Sequence, residues 1–284
     1  MTTKTKKRTQ QRALPWFGAD TLVCDQYAAR LKCCKHVTVP MCGGLSLPRC
    51  LIEQGGINEI ICSDAHNLAI NLYTCLADRE LRADLIERLN RAPFHESLLA
   101  ESQEMCKAHD IVELSDVAMA FHYFVTAWMG RSGKAGTESD FKGGLAFRWD
   151  AGGGSSPLRF QTAVRSIQEV WAPVCERCSF LCRSWDGILG DVIDSEMCGI
   201  YCDPPWPGLG DSYRHKFSER DHRALKEALA FNAARVVVRY GDHPLIREIY
   251  GNQGDWFIQE ITSRNQSNAG VKELCITNWN TEAV

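Results

Sequence analysis

Apolar and polar positions along this chain follow two rhythms. Short apolar runs that stop at proline, glycine or an acid read as buried strands. Stretches with apolar residues every three or four positions read as helices. "HVTVPMCGG" (36–44) is a run of the first kind, stopped by Pro40 and a glycine pair. "LSLPRCLIEQG" (45–55) follows as a short helix, and "INEIICSD" (57–64) as a second strand ending on an acid. Strand, glycine turn, helix and strand in that order predict a parallel α/β sheet. Helical spacing then takes over from 65 to 131, with Leu68, Leu72 and Leu76, then Leu81, Leu85 and Leu89, then Val117, Phe121, Phe124 and Trp128.

The texture changes at Gly130. "GRSGKAGTESDFKGGLAFRWDAGGGSSP" is rich in glycine and polar residues and predicts a long loop or hairpin. A helix at about 157–171 closes it, and the α/β rhythm returns. "SFLCRSWD" (179–186), "MCGIYCD" (197–203) and "ARVVVRYGD" (234–242) read as strands. "SERDHRALKEALAFN" (218–232) reads as a helix with Ser218 as N-cap and Asp221 completing a capping box. "HPLIREIYG" (243–251) reads as a short helix, and "DWFIQEITSR" with "KELCITNW" as a final antiparallel hairpin. The organisation expected is a basic disordered tail (1–12), a catalytic α/β domain (13–78 and 166–284) and a mostly helical insertion (79–165).

Bulk composition narrows the classes. The chain has 284 residues, 45% hydrophobic and 24% charged, which is ordinary for a globular protein. No apolar run is long enough to span a bilayer, and the start, "MTTKTKKRTQQR", is polar and basic rather than a signal peptide. A cytoplasmic location in a bacterial or phage-infected cell is expected, with the 14 cysteines reduced. The formal net charge of −3 confines any polyanion site to a local patch. Cys175, Cys178 and Cys182 in "CERCSFLC" have a metal-like spacing but lack a second spaced pair, so no metal site is expected.

Two stretches carry the candidate chemistry. In "YCDPPWPG" (201–208) a buried strand is stopped by two prolines, which lack ladder donors, and presents Asp203 and Trp206 at its end. The C-terminal edge of a parallel sheet is where open α/β folds bind ligands. A carboxylate and a proline carbonyl there can accept both hydrogens of a planar amino group, and an aromatic ring can stack on the group that bears it. In "PMCGGLS", Gly43 and Gly44 let a ligand approach the backbone, and Asp64, 20 residues after Gly44, is placed to accept from ribose hydroxyls.

The order of these stretches resembles the Dam-like N6-adenine DNA methyltransferases, including their phage-borne members, from about Trp16 to Trp279. "PWFGAD" (15–20) looks like that family's N-terminal cofactor motif, and "VPMCGGLS" (39–46) like its glycine turn. "SDAHNLAINLY" (63–73), "YCDPPW" (201–206), "RYGDHPLIREIY" (239–250) and "VKELCITNW" (271–279) resemble its further motifs. The chain departs from the pattern at Asp20, where the family has lysine, and at Val39, Met41 and Cys42 in the glycine turn.

The resemblance implies a Rossmann-like S-adenosylmethionine-dependent methyltransferase sheet with an inserted target-recognition region. It implies that Trp16, Phe17, Gly18, Cys42, Gly43, Gly44, Asp64 and Asp186 hold S-adenosylmethionine, with Trp16 and Asp186 at its adenine. It implies that Asp203, Pro204, Pro205 and Trp206 grip an adenine flipped out of DNA. Arg131, Lys134, Lys142 and Arg148, interleaved with Phe141, Phe147 and Trp149, are the candidates for DNA contact. The expected activity is that of a site-specific adenine DNA methyltransferase, of the kind used in DNA modification and restriction, working as a monomer or weak dimer away from membranes. An RNA adenine methyltransferase and an inactive nucleic-acid-binding relative are the alternatives. Methylation of a protein amide fits less well, because such enzymes usually begin the corresponding motif with asparagine.

Overall fold

The computed structural model describes residues 12–18, 23–109, 111–130, 135–147, 155–230, 233–251, 254–264 and 270–281. Asp20, Arg131, Lys134, Arg148 and Trp149 lie outside them.

Seven strands form one mixed sheet. They are β1 (His36–Val39), β2 (Glu59–Ser63), β3 (Cys178–Leu181), β4 (Cys198–Cys202), β5 (Arg235–Gly241), β6 (Phe257–Arg264) and β7 (Gly270–Thr277), in the order β3-β2-β1-β4-β5-β7-β6. The first five run parallel, and β7 pairs antiparallel with both β5 and β6. This is an α/β architecture compatible with a Rossmann-like fold, and the closing hairpin is where the sequence puts it. All five residues of β4 and the middle five of β5 are buried, as expected of strands covered on both faces. Side chains alternate between two cores. Tyr201 and Val237 join one core, while Ile200, Cys202, Val236 and Val238 join the other.

The strand order reverses between β1 and β4, which are parallel neighbours. Such a switch point opens a crevice at the carboxyl ends of its strands. The glycine turn follows β1, Asp64 follows β2 and Asp203 follows β4, so the topology alone brings the candidate residues to one edge.

On the first face lie α1 (Cys24–Arg30) and α2 (Ser46–Gln54); α1 has no counterpart in the sequence reading. Packing of α1 on α2 brings the Cα atoms of Cys24 and Cys50 to 6.4 Å, within bridging range, and sets their sulfurs side by side. The other twelve cysteines are free.

The stretch expected as wholly helical is four helices: α3 (Asn67–Ala77), α4 (Arg79–Arg91), α5 (Glu96–Ala108) and α6 (Val117–Met129). Side chains start them. Asp78 accepts from the backbone N–H groups of Glu80 and Leu81, and Asp116 from that of Met119. α6 is the hub, with nine buried residues, and it packs on α3, α4, α5 and α7 (Ser156–Ser166). Asn67 and Asn71, one turn apart on α3, hold the approach to α6. Asn67 exchanges hydrogen bonds with the backbone of Val112, and Asn71 with that of Asp116, at 2.8–3.2 Å.

The helix expected at 157–171 widens into a π-type turn at Ile167–Trp171 before α8 (Ala172–Cys175). Pro173, which has no N–H to donate, sits just beyond that turn. The strand expected at 179–186 stops at Leu181, and Ser184 starts α9 (Trp185–Leu189). The second face carries α9, α10 (Glu219–Leu229) and α11 (Pro244–Gly251), and the capping box of α10 is formed by Ser218 and Asp221 as expected. Among the described residues, no helix is long and apolar enough to cross a membrane.

Candidate functional site

A cavity of about 260 Å³ opens at the switch point, close to the lower bound of about 300 Å³ for ligand pockets. Of the residues singled out in the sequence, Trp16, Phe17, Gly18, Cys42, Gly43, Gly44, Asp64, Asp203 and Pro205 line it. Pro204, Trp206, Asp186 and Lys142 are described but do not line it.

Backbone hydrogen bonds build one end. The Cys42 N–H donates to the Ser63 carbonyl, tying the glycine turn to β2. Asp64 accepts from the Gly43 N–H through Oδ2 at 3.0 Å and from the His66 N–H through Oδ1 at 2.9 Å. A carboxylate has about four lone-pair directions. Two are spent on the turn, and the half-buried group also faces the cavity.

The glycines make room first for a side chain. A Cβ on Gly43 would lie 2.9 Å from Trp16 Nε1, and one on Gly44 3.0 Å from Trp16 Cβ. Trp16 therefore sits against Gly43 and Gly44. Trp185, in the first turn of α9, lines the cavity in place of its neighbour Asp186. Asp186 is exposed, and a hydrogen bond from Ser184 holds its carboxyl below the usual range.

The glycine-rich segment covers the other side of the indole. Trp16 forms a bridge with Ala135, and a Cβ on Gly136 would lie 2.6 Å from its ring. Asp140 pins this segment. Its Oδ2 accepts from the Gly136 N–H at 3.0 Å and from the Tyr123 hydroxyl at 3.2 Å, and meets His66 Nε2 at 3.0 Å. His66 and Asp140 are both buried, and neither stands out in the sequence, because a separation of 74 positions hides the pairing. Phe141, expected among the DNA contacts, is also buried, with Arg214 over its ring at 5.1 Å. Phe147 is 70% exposed.

Charges build the opposite end. Asp203 Oδ2 accepts from Arg239 Nη1 at 2.8 Å, and Oδ1 from Trp206 Nε1 at 3.3 Å. The Trp206 ring is wedged between Gly241, where a Cβ would lie 2.6 Å away, and the Arg239 guanidinium at 4.8 Å. Arg239 is buried on β5. It gives Nε and Nη2 to the two carboxylate oxygens of Glu273 on β7, at 2.8 and 2.9 Å, and Nη1 also to the Gly18 carbonyl at 3.1 Å. The Tyr27 hydroxyl donates to Glu273. Burial works against the charge on Arg239, but Asp203 and Glu273 hold it protonated well above the ordinary range. Burial likewise pushes Glu273 up, and the Arg239 hydrogen bonds and charge together with hydrogen bonds from Ser263 and Tyr27 leave its carboxyl below the usual range.

A strap closes the mouth. The Tyr213 hydroxyl donates to the Phe17 carbonyl at 2.7 Å, and the segment from Ser212 to Arg214 pairs with Gly136–Glu138 of the insertion. A scan against protein-family models finds none that matches the chain, and a search of curated proteins finds no match either.

Proposed function

We propose that the chain is an adenine-specific DNA methyltransferase that moves a methyl group from S-adenosylmethionine to the exocyclic amine of a flipped base. The observation that carries this reading is the single cavity shared by the glycine turn, Asp64 and Asp203 at the sheet's switch point. The choice of DNA rests on the resemblance of the ordered motifs.

The residues present fit such a donor. Asp64 keeps lone pairs for ribose hydroxyls. Because Trp16 packs against Gly43 and Gly44, it walls the methionine end rather than the adenine expected of it, and Trp185 offers a ring to the adenine. Bound there, S-adenosylmethionine supplies an electrophilic methyl group on a sulfonium. Asp203 accepts a hydrogen of the target amine, which localises its lone pair, whereas Pro204, the second acceptor that the resemblance implies, does not line the cavity. The nitrogen forms the new N–C bond, the C–S bond breaks, and the electron pair stays on sulfur. Catalysis is positioning and electrostatic preorganisation, with no covalent enzyme intermediate. Trp206 acts through its Nε1 hydrogen bond to Asp203, and the wall offered to the flat base is Pro205.

Calorimetry with S-adenosylmethionine tests the donor. Micromolar binding lost in Asp64→Ala is expected, and no heat in the wild type would overturn the reading. Tritiated-methyl transfer to unmethylated DNA tests the acceptor, and transfer to RNA alone would replace DNA as the substrate.

A further inference from the structure

The Arg239 cluster is expensive to build. Three charged groups come together at the sheet edge: Arg239 and Glu273, whose side chains are 5% and 3% exposed, and Asp203 at 20%. Buried ion pairs of this kind seldom stabilise a fold better than apolar residues of the same shape. The cluster's one open face is Asp203, on the cavity. Formally it sums to −1, one cation against two anions, so Glu273 cancels the guanidinium and leaves Asp203 a net negative acceptor.

We propose that Arg239 is a positioning residue for Asp203: anchored by Glu273, it keeps the carboxylate ionised and aimed at the target amine, and it ties that carboxylate to Gly18 on the cofactor wall. The inference rests on the methyl-transfer reading and deepens it. A carboxylate held by a guanidinium is a weak base. Asp203 therefore accepts hydrogen bonds from the amine and stabilises its developing positive charge, and the proton that leaves the methylated nitrogen goes to water. The shared Nη1 gives the donor end and the acceptor end a common anchor.

Other titratable groups face Asp203. The Asp203 charge acts on Tyr27, Cys202 and Tyr240, and burial pushes all three up, so they stay neutral through the working range. Tyr201, Asp64, His66, His215, Lys216 and Asp221 also line the cavity. Changing Arg239 and Glu273 together substitutes none of these, and a glutamine amide oxygen in place of the Glu273 carboxylate can still accept from Tyr27.

The test is a carbon-13 carboxyl titration by NMR, with the Asp203 signal assigned by its loss in Asp203→Asn. It is run beside the pH dependence of kcat for methyl transfer. In the paired variant Arg239→Gln with Glu273→Gln, the Asp203 midpoint is expected to rise by about one pH unit or more. The acid limb of kcat should rise with it, and KM for S-adenosylmethionine should rise as the Gly18 carbonyl loses its anchor. Glu273→Gln alone leaves the guanidinium uncancelled and should move the midpoint the other way. A purely structural role would lower kcat equally at every pH. An unmoved midpoint, or a moved midpoint with an unmoved limb, overturns the proposal. A wild type that transfers no methyl group to any nucleic acid overturns the parent reading, and this one with it, whatever the titration gives.

Discussion

The two ends of the cavity are built from opposite materials. At the Trp16 end the fit is steric: glycines at 43, 44 and 136 clear space for one indole, and the carboxylates there, Asp64 and Asp140, mainly accept from backbone N–H groups. At the Asp203 end the fit is electrostatic: a buried guanidinium is shared between two carboxylates and lies on a second indole. A steric end loses shape when mutated, whereas an electrostatic end loses balance. The difference predicts which substitutions can be rescued, and by what.

The largest effect is expected at Arg239. Arg239→Met alone leaves Glu273 buried without its cation and should cost about 3–5 kcal/mol in urea unfolding. Adding Glu273→Leu removes the stranded charge, and most of the loss should return. If the double variant is no more stable than the single one, the charged end is held by shape after all, and the contrast with the other end collapses.

Much of this layout can be read from the chain. Pro204 and Pro205 stop β4 where expected, and the turn after β1 and the acid after β2 fall on the same edge because parallel strands align their carboxyl ends. What escaped is what long-range pairing decides. Arg239 and Glu273 lie on neighbouring antiparallel strands, two positions out of register, since Gly241 faces Glu273 and Arg239 faces Cys275. A signal existed: "VVVRYG" carries Arg239 inside an apolar run, and "ELCIT" opens on Glu273, of opposite charge. For Asp140 no such signal exists, because its three partners come from α6, the N-terminus of α3 and a glycine loop. The sequence also assigned the glycines to a ligand. Their missing Cβ atoms serve Trp16, a contact between residues 27 positions apart that local spacing does not reveal.

At the steric end, Gly136→Ala should cost about 3 kcal/mol. Its φ of +83° penalises any side chain by about 1–2 kcal/mol, and the new methyl would strike the indole. Trp16→Leu in the same chain should recover the clash but not the backbone strain, so the rescue is partial. The urea midpoints of the single and double variants measure it. Full rescue would mean that strain is absent, and no rescue that Trp16 is not what Gly136 accommodates.

Acid should divide the two ends as well. His222 on α10 is 1% exposed and shares a 2.8 Å hydrogen bond with the Tyr240 hydroxyl, next to Arg239 on β5. Burial lowers its pKa from 6.5 to about 4. The unfolded chain then binds a proton between those values that the folded chain refuses. The stabilisation is thus fully present above about pH 6.5 and is lost as the pH falls toward 4. By pH 5 the loss is about 2 kcal/mol, and His222→Asn, which cannot titrate, should remove that part of the slope. Hydrogen exchange at pH 5 and pH 7 locates the effect. Amides of α10 and β5 should open more readily in acid, while those of the glycine turn keep their protection relative to the neutral protein. Equal loosening at both ends would mean that His222 reports global unfolding. Loosening of the glycine turn alone would move the acid-sensitive element to the steric side of the cavity.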